Sequence, residues 1–183
     1  CRPADSAEDQ PANYVLKVLR KEWWRDPQAI EMQRRASWLG STISHPHLLP
    51  VLSSSVSQAP FFFVSPKIEG RTLAEILASG SLTLPIILWI GRQVAEALAA
   101  LHETTGMIHA DVKPANILVS AEGHTTLIDL GFSHSPDEQR HWASRPVMGT
   151  LAYIAPESIT SSLGCQLSSD LYSLGVTLYE MIC

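Results

Sequence analysis

Apolar and polar positions alternate over Tyr14-Val15-Leu16-Lys17-Val18-Leu19, and this period of two predicts a β-strand. Residues 1–12 before it are polar, hold two prolines and read as a loop or disordered end. Asp26-Pro27 sets a capping side chain before a proline at a first helical position. A helix is therefore expected from there to about Ser41, with Ile30, Arg34, Ser37 and Trp38 along one side. His45-Pro46 ends it. Leu48 to Leu52 and Phe61 to Val64 read as two strands joined by a serine-rich turn, and Pro66 to Arg71 as an extended link ending at Gly70. Leu73 to Ala78 predicts a short helix closed by Gly80.

The strongest periodic signal comes next. Ile87, Ile90, Val94, Leu98 and Leu101 recur at helical spacing and predict an amphipathic helix over Leu84 to His102. Two short β-like pieces, Ile117–Val119 and Thr126–Ile128, precede a polar loop over 133–148. A last helix is expected over Ser169 to Cys183. There is no internal repeat and no low-complexity tract. A small β-rich part followed by a helix-rich part predicts an α+β fold in two lobes.

Composition narrows the function classes. The 183 residues are 45% hydrophobic and 17% charged, a globular balance. Thirteen Lys+Arg against eighteen Asp+Glu leave a net charge of −5, which argues against a nucleic-acid binder. Basic residues gather over 17–35, six against three acidic, and this reads as a solvated helix face. The longest apolar run, Leu84 to Ile90 with Pro85 inside it, falls short of the roughly 20 residues a bilayer span needs. Cys1, Cys165 and Cys183 have no metal-ligand spacing and read as thiols of a reducing compartment, so a cytoplasmic location is expected. The chain starts at Cys and stops in mid-pattern, so both ends read as cut.

Three polar side chains sit where loops meet β-like pieces: Asp111, Asn116 and Asp129. A carboxylate and an amide five residues apart, with a second carboxylate, suit oxygen coordination of Mg²⁺. Lys113 between them suits a phosphate.

These residues carry a resemblance. His109-Ala110-Asp111-Val112-Lys113-Pro114-Ala115-Asn116 resembles the catalytic loop of eukaryotic-type protein kinases, bacterial members included. Asp129-Leu130-Gly131 resembles their metal-binding Asp-Phe-Gly, with Leu for Phe. Ala155-Pro156-Glu157 matches the end of their activation segment, and Asp170-Leu171-Tyr172-Ser173-Leu174-Gly175 resembles the buried helix that follows. The order and spacing agree from Tyr14 onward. The resemblance implies a two-lobed kinase-like fold: a partial N-lobe and hinge over 13–68 and a partial C-lobe over 69–183. It implies ATP and Mg²⁺ as cofactors and a protein Ser/Thr hydroxyl as acceptor. Asp111 would take the hydroxyl proton, Lys113 would steady the transferring phosphoryl group, and Asn116 and Asp129 would hold Mg²⁺. Lys113 and Thr150 are features of the serine/threonine-directed class. Lys17 would meet the α- and β-phosphates. Pro66 and Ile68 would offer a carbonyl and an N–H to the adenine, Leu118 would pack under its ring, and Ser65 would be the gatekeeper.

The departures matter as much. No glycine precedes Gly40, so the family's glycine-rich phosphate cover is absent from these residues, and weak or no turnover is expected of the fragment by itself. The helix glutamate that pairs with the strand lysine falls, by spacing, on Ala36. Glu31, five residues earlier, lies about 500° round the helix, ~140° off the required face. Ala110 stands where regulated kinases have arginine, so phosphorylation within 133–148 should matter less, although Ser133, Ser135 and Ser144 are possible sites. Glu157 is expected to be unsatisfied or exposed, and an apolar patch is expected where lower helices would pack. The alternative to an enzyme is a pseudokinase scaffold. A small-molecule phosphotransferase fits Lys113, Gly149-Thr150 and Ala155-Pro156-Glu157 less well. Membrane anchoring would come only through parts outside this chain.

Overall fold

The computed structural model describes residues 1, 12–138, 150–160 and 165–183. Its first part is a three-stranded antiparallel sheet and one helix. β1 (Tyr14–Val18) pairs with β3 (Phe62–Pro66), and β2 (Ser53–Ser55) pairs with the other edge of β3. Helix α1 (Pro27–Thr42) lies beside this sheet. Asp26 caps it as its sequence implies: one carboxylate oxygen accepts the N–H groups of Gln28 and Ala29 at 2.8 and 3.1 Å. Such a cap is worth about 1 kcal/mol.

Two details differ from the sequence expectation. The buried stripe of α1 is Gln33, Ala36, Ser37, Leu39 and Gly40, whereas Arg34 and Trp38 face solvent. Small and polar residues form the packed face, so a search for large apolar side chains selects the wrong side. The strand expected over Leu48–Leu52 is displaced to Ser53–Ser55. Leu48 instead makes a single parallel bridge to Leu127, and its side chain enters the core.

The second part is helical around a small sheet. β4 (Arg71–Thr72), β5 (Ile117–Val119) and β6 (Thr125–Leu127) form an antiparallel sheet in that order. β6 thus lies one residue earlier than its apolar pattern suggests. Helix α2 (Leu73–Leu77) opens with a reciprocal capping box between Thr72 and Glu75. Helix α3 (Leu84–Thr105) is the central helix. α4 (Pro156–Thr160) and α5 (Leu167–Ile182) complete the order. One continuous core joins the parts: Leu39, Ile43 and Leu48 meet Leu73, Ile90, Leu98, Leu101, Ile117 and Leu127. The α+β architecture, a small sheet region followed by a helical part, agrees with the sequence reading.

α3 needs a correction. Among the described residues it is the one helix long and apolar enough, by length and composition, to cross a membrane, with a mean hydropathy of 1.4 over its best stretch. The uninterrupted apolar run is short, but alanines and small residues keep the average high. In the fold Ile87, Ile90, Val94, Leu98 and Leu101 are buried, while Arg92 pairs with Glu96 on the outer face. These features make it a core helix. On α5, Leu171, Tyr172, Tyr179 and Ile182 are exposed.

Candidate active site

The short segment between α3 and β5 carries three of the polar residues singled out by the sequence, Asp111, Lys113 and Asn116. Asp111 is buried at 5% exposure, and Asn116 Nδ2 donates to both its carbonyl oxygen (2.8 Å) and its carboxylate Oδ2 (2.7 Å). A 3₁₀ turn over Pro114–Asn116 curls the chain back so that this contact across five residues is possible. Lys113 Nζ lies 3.0 Å from Asp111 Oδ1 and 2.8 Å from Oδ2, and it donates to Thr150 Oγ1 at 2.8 Å. Four of the residues read from the sequence therefore form one hydrogen-bonded set.

Asp129 reaches this set through the backbone. The N–H of Ile128 donates to the Asn116 carbonyl at 2.9 Å, which places Asp129 beside Asn116. Asp129 has φ +64°, a left-handed conformation that Asp tolerates better than most residues. Lys17, on β1, donates to Asp129 Oδ1 at 2.8 Å. Burial alone would raise the Asp129 carboxyl; the charge and hydrogen bond of Lys17, together with His109 and the Gly131 N–H, outweigh it and hold the group below its usual value. Gly131 lets this turn approach α1: a Cβ there would sit 3.4 Å from both Met32 O and Asp129 Oδ1.

Ala36 is buried and lines a cavity of about 400 Å³ together with Lys17, Gln33, Met32 and Asp129. Glu31 does not fill that place. It points to solvent and lies 3.3 Å from Arg35 Nη2. Lys17 therefore has its carboxylate partner on the Asp129 loop, not on α1. Gln33 Nε2 donates to the Lys17 carbonyl at 3.0 Å and ties α1 to β1 through the main chain instead.

The residues fit Mg²⁺. Asn116 spends its nitrogen on Asp111, which leaves its amide oxygen as a donor, and Asp129 adds a carboxylate. Among the described residues no group of three or more His, Cys, Asp or Glu side chains could hold a metal. A single amide and carboxylate completed by phosphate oxygens is the way Mg²⁺ is commonly held.

The remaining predicted residues line the chain between the two sheets. Pro66 ends β3, Ser65 beside it is buried, and Ile68 is half-buried in the link to β4. Leu118 is half-buried on β5 between fully inward Ile117 and Val119, so it points to the opposite face. Among the described residues, no side-chain hydrogen bond or ion pair joins Ser65, Pro66, Ile68 or Leu118 to the Asp111 set.

Sequence reading missed what holds the Asp111 loop. Asp170 on α5 is fully buried. Its Oδ2 accepts the N–H of His109 at 2.7 Å and meets His102 Nε2 at 2.7 Å, while its Oδ1 accepts the N–H of Ala110 at 2.9 Å. Ala110 has φ +66°, which costs about 1–3 kcal/mol for a residue with a Cβ. The available signal was a carboxylate in the first turn of a helix of high mean apolar content. Glu157 is neither unsatisfied nor fully exposed, because Ser169 Oγ donates to it at 3.0 Å. Ser133 is fully buried, which removes it as an open modification site, and Ser144 lies outside the described residues.

Residues 6–183 match the protein kinase domain family. A probable serine/threonine-protein kinase of Clostridium perfringens is 33% identical over 169 residues, 92% of this chain and 24% of that protein. Serine/threonine-protein kinase PrkC of Bacillus subtilis is 29% identical over 169 residues, 92% of this chain and 26% of its own length. Serine/threonine-protein kinase PknA of Mycobacterium tuberculosis is 34% identical over 176 residues, 92% and 40%. The chain thus spans between a quarter and two-fifths of the length of these relatives.

Proposed function

The chain belongs to the protein kinase domain family, in its bacterial serine/threonine type, and from that premise we propose that it carries a site moving the γ-phosphoryl group of ATP to a Ser or Thr hydroxyl of a protein. The observation behind this reading is the hydrogen-bonded set of Asp111, Lys113, Asn116 and Thr150, joined through Ile128 to Asp129 and Lys17.

Asp111 is the proton acceptor. Its carboxylate is positioned by Lys113 and Asn116, yet a carboxylate has about four lone-pair sites, so it can still receive a hydroxyl proton. As that proton leaves, the acceptor oxygen forms its bond to the γ-phosphorus, and the bond from phosphorus to the β–γ bridging oxygen breaks, releasing ADP. Lys113 stands between Asp111 and Thr150, where it can place positive charge on the transferring group. Asn116 and Asp129 would hold Mg²⁺, which neutralises phosphate charge when bound. Lys17 turns its ammonium toward the same place and would meet the α- and β-phosphates. Pro66, Ile68 and Leu118 would receive the adenine. Such a site works where ATP is plentiful, so we place it in the cytoplasm.

Little covalent work falls to the protein, and positioning supplies most of the effect. Buried Ala36, with Lys17 paired to Asp129, favours a second reading: a scaffold that binds partners without transfer. Label from γ-labelled ATP, offered with a generic protein to the longest natural form of the protein, distinguishes them. Phosphoserine and phosphothreonine are expected. No label in any acceptor from well-folded protein would favour the scaffold.

A further inference from the structure

Three imidazoles outside the Asp111 set meet where the loop after α1 crosses the β5–β6 turn. The ring centroids of His45 and His47 lie 5.5 Å apart, and those of His47 and His124 4.8 Å apart. Hydrogen bonds fix one nitrogen of each ring. The Thr125 carbonyl lies 2.8 Å from His47 Nδ1, and the Pro46 carbonyl 2.9 Å from His124 Nε2. A carbonyl only accepts, so each of these nitrogens carries a proton. The N–H of His47 donates to His45 Nδ1 at 3.3 Å, so that nitrogen carries none. The same loop ties α1 to β6: the N–H of Leu127 donates to the His47 carbonyl at 2.8 Å, and the N–H of Leu49 to the Leu127 carbonyl at 3.1 Å.

We propose that His45, His47 and His124, with Glu96, form a proton-sensitive clasp: it holds the loop after α1 on the β5–β6 hairpin while it carries no more than one added proton, and loosens when it takes a second. The charges that face the rings carry this inference. From α3, Glu96 Oε2 lies 3.6 Å from His47 Nε2, while Glu96 Oε1 accepts from Arg92 Nε at 2.8 Å. From the β5–β6 turn, Glu122 lines the same cavity of about 290 Å³, but its carboxylate accepts from Ser120 Oγ at 2.9 Å. A first added proton goes to His47 Nε2, where Glu96 answers it. A second has no such place. On His124 it sets a second cation against the His47 ring, and on His45 Nδ1 it also breaks the bond from the His47 N–H. Burial and the neighbouring His47, partly offset by Glu96, hold the His45 pKa below the usual 6.5. The open loop therefore binds protons more readily than the closed one. The clasp is at full strength above pH 6.5 and weakens as pH falls below it. The inference stands apart from the phosphotransfer reading, and its readout is not activity.

The test is peptide-resolved hydrogen exchange in the longest natural form of the protein at pH 7.5 and 5.5, with rates corrected for the intrinsic effect of pH. Segment 94–101 of α3 reports the global change. Protection over 43–49 and 120–127 should fall about five- to tenfold more than over 94–101, because one proton excluded from the closed state sets a limit near tenfold across this interval. His45→Asn keeps an acceptor for the His47 N–H, and His124→Gln keeps a donor to the Pro46 carbonyl; neither takes a charge. The double variant should match the natural protein at pH 7.5 within about twofold and lose the extra fall at pH 5.5. Glu96→Gln removes the answering carboxylate and should enlarge the extra fall. It decides alone where the double variant has already lost protection at pH 7.5. A fall over both segments that only matches 94–101, an extra fall that persists in the double variant, or one that is unchanged or smaller in Glu96→Gln would each overturn the clasp.

Discussion

Lys17 Nζ lies 2.8 Å from Asp129 Oδ1, and this pair joins the first sheet to the Asp-Leu-Gly turn across 112 residues of sequence. The carboxylate therefore comes from a residue proposed to hold Mg²⁺, because α1 presents Ala36 on that side. A metal held there would compete with the lysine for one side chain.

Ala36→Glu should relieve that competition. The cavity of about 400 Å³ beside Ala36 has room for the longer side chain, and Lys17 Nζ stands on its wall. The variant is expected to fold, to bind MgATP more tightly and to transfer phosphate several-fold faster, with about tenfold as the upper range for one well-placed charge pair. Calorimetric titration with MgATP and steady-state kinetics read this directly. Weaker nucleotide binding by a folded Ala36→Glu protein would show that Asp129 is the proper partner of Lys17.

Asp170→Asn tests what holds the Asp111 loop. The carboxylate accepts two backbone N–H groups in a fully buried site, and an amide can answer only part of that demand. A loss of about 3 kcal/mol is expected, at about 1–3 kcal/mol for each buried donor left unpaired. Urea unfolding measures it. A change below about 0.5 kcal/mol would mean that Ala110 keeps its φ of +66° without help from α5.

His109 makes stability depend on pH. Burial, partly offset by Asp170, holds its pKa below the usual 6.5. The unfolded chain therefore binds this proton more readily than the folded one. Its contribution is fully present above pH 6.5 and is lost as pH falls from there toward the folded value, at no more than about 1.4 kcal/mol per pH unit. Unfolding midpoints between pH 7.5 and 5.5 should fall for the natural protein and fall less for His109→Gln. Parallel curves for the two proteins would remove His109 from the account.

The Asp111 cluster was legible as a cluster because its contacts are local. Asp111, Lys113 and Asn116 lie within six residues, and a single 3₁₀ turn folds them together. The capped start of α1 and the apolar stripe of α3 were legible for the same reason. What escaped depends on partners far along the chain. Asp170 reads as an ordinary first-turn acid of α5 until His109 and Ala110 arrive about 60 residues away in sequence. Arg35 reads as a solvated charge until Ser133 and Glu138 cover it. The face of α1 was misjudged because Gln33, Ser37 and Gly40 pack inward where Trp38 does not. Leu48 has the residue type of a strand, but its register is set by β6, which no local pattern specifies.

The most direct measurement is the kinetic split caused by Asp111→Asn, made in the longest natural form of the protein. Asparagine keeps the shape and loses the ability to take a proton. If Asp111 is the proton acceptor, kcat falls by about 10²–10⁴-fold while KM for ATP stays within about threefold. An unchanged kcat, or a loss confined to KM for ATP, would contradict the central claim and leave Asp111 a binding residue only.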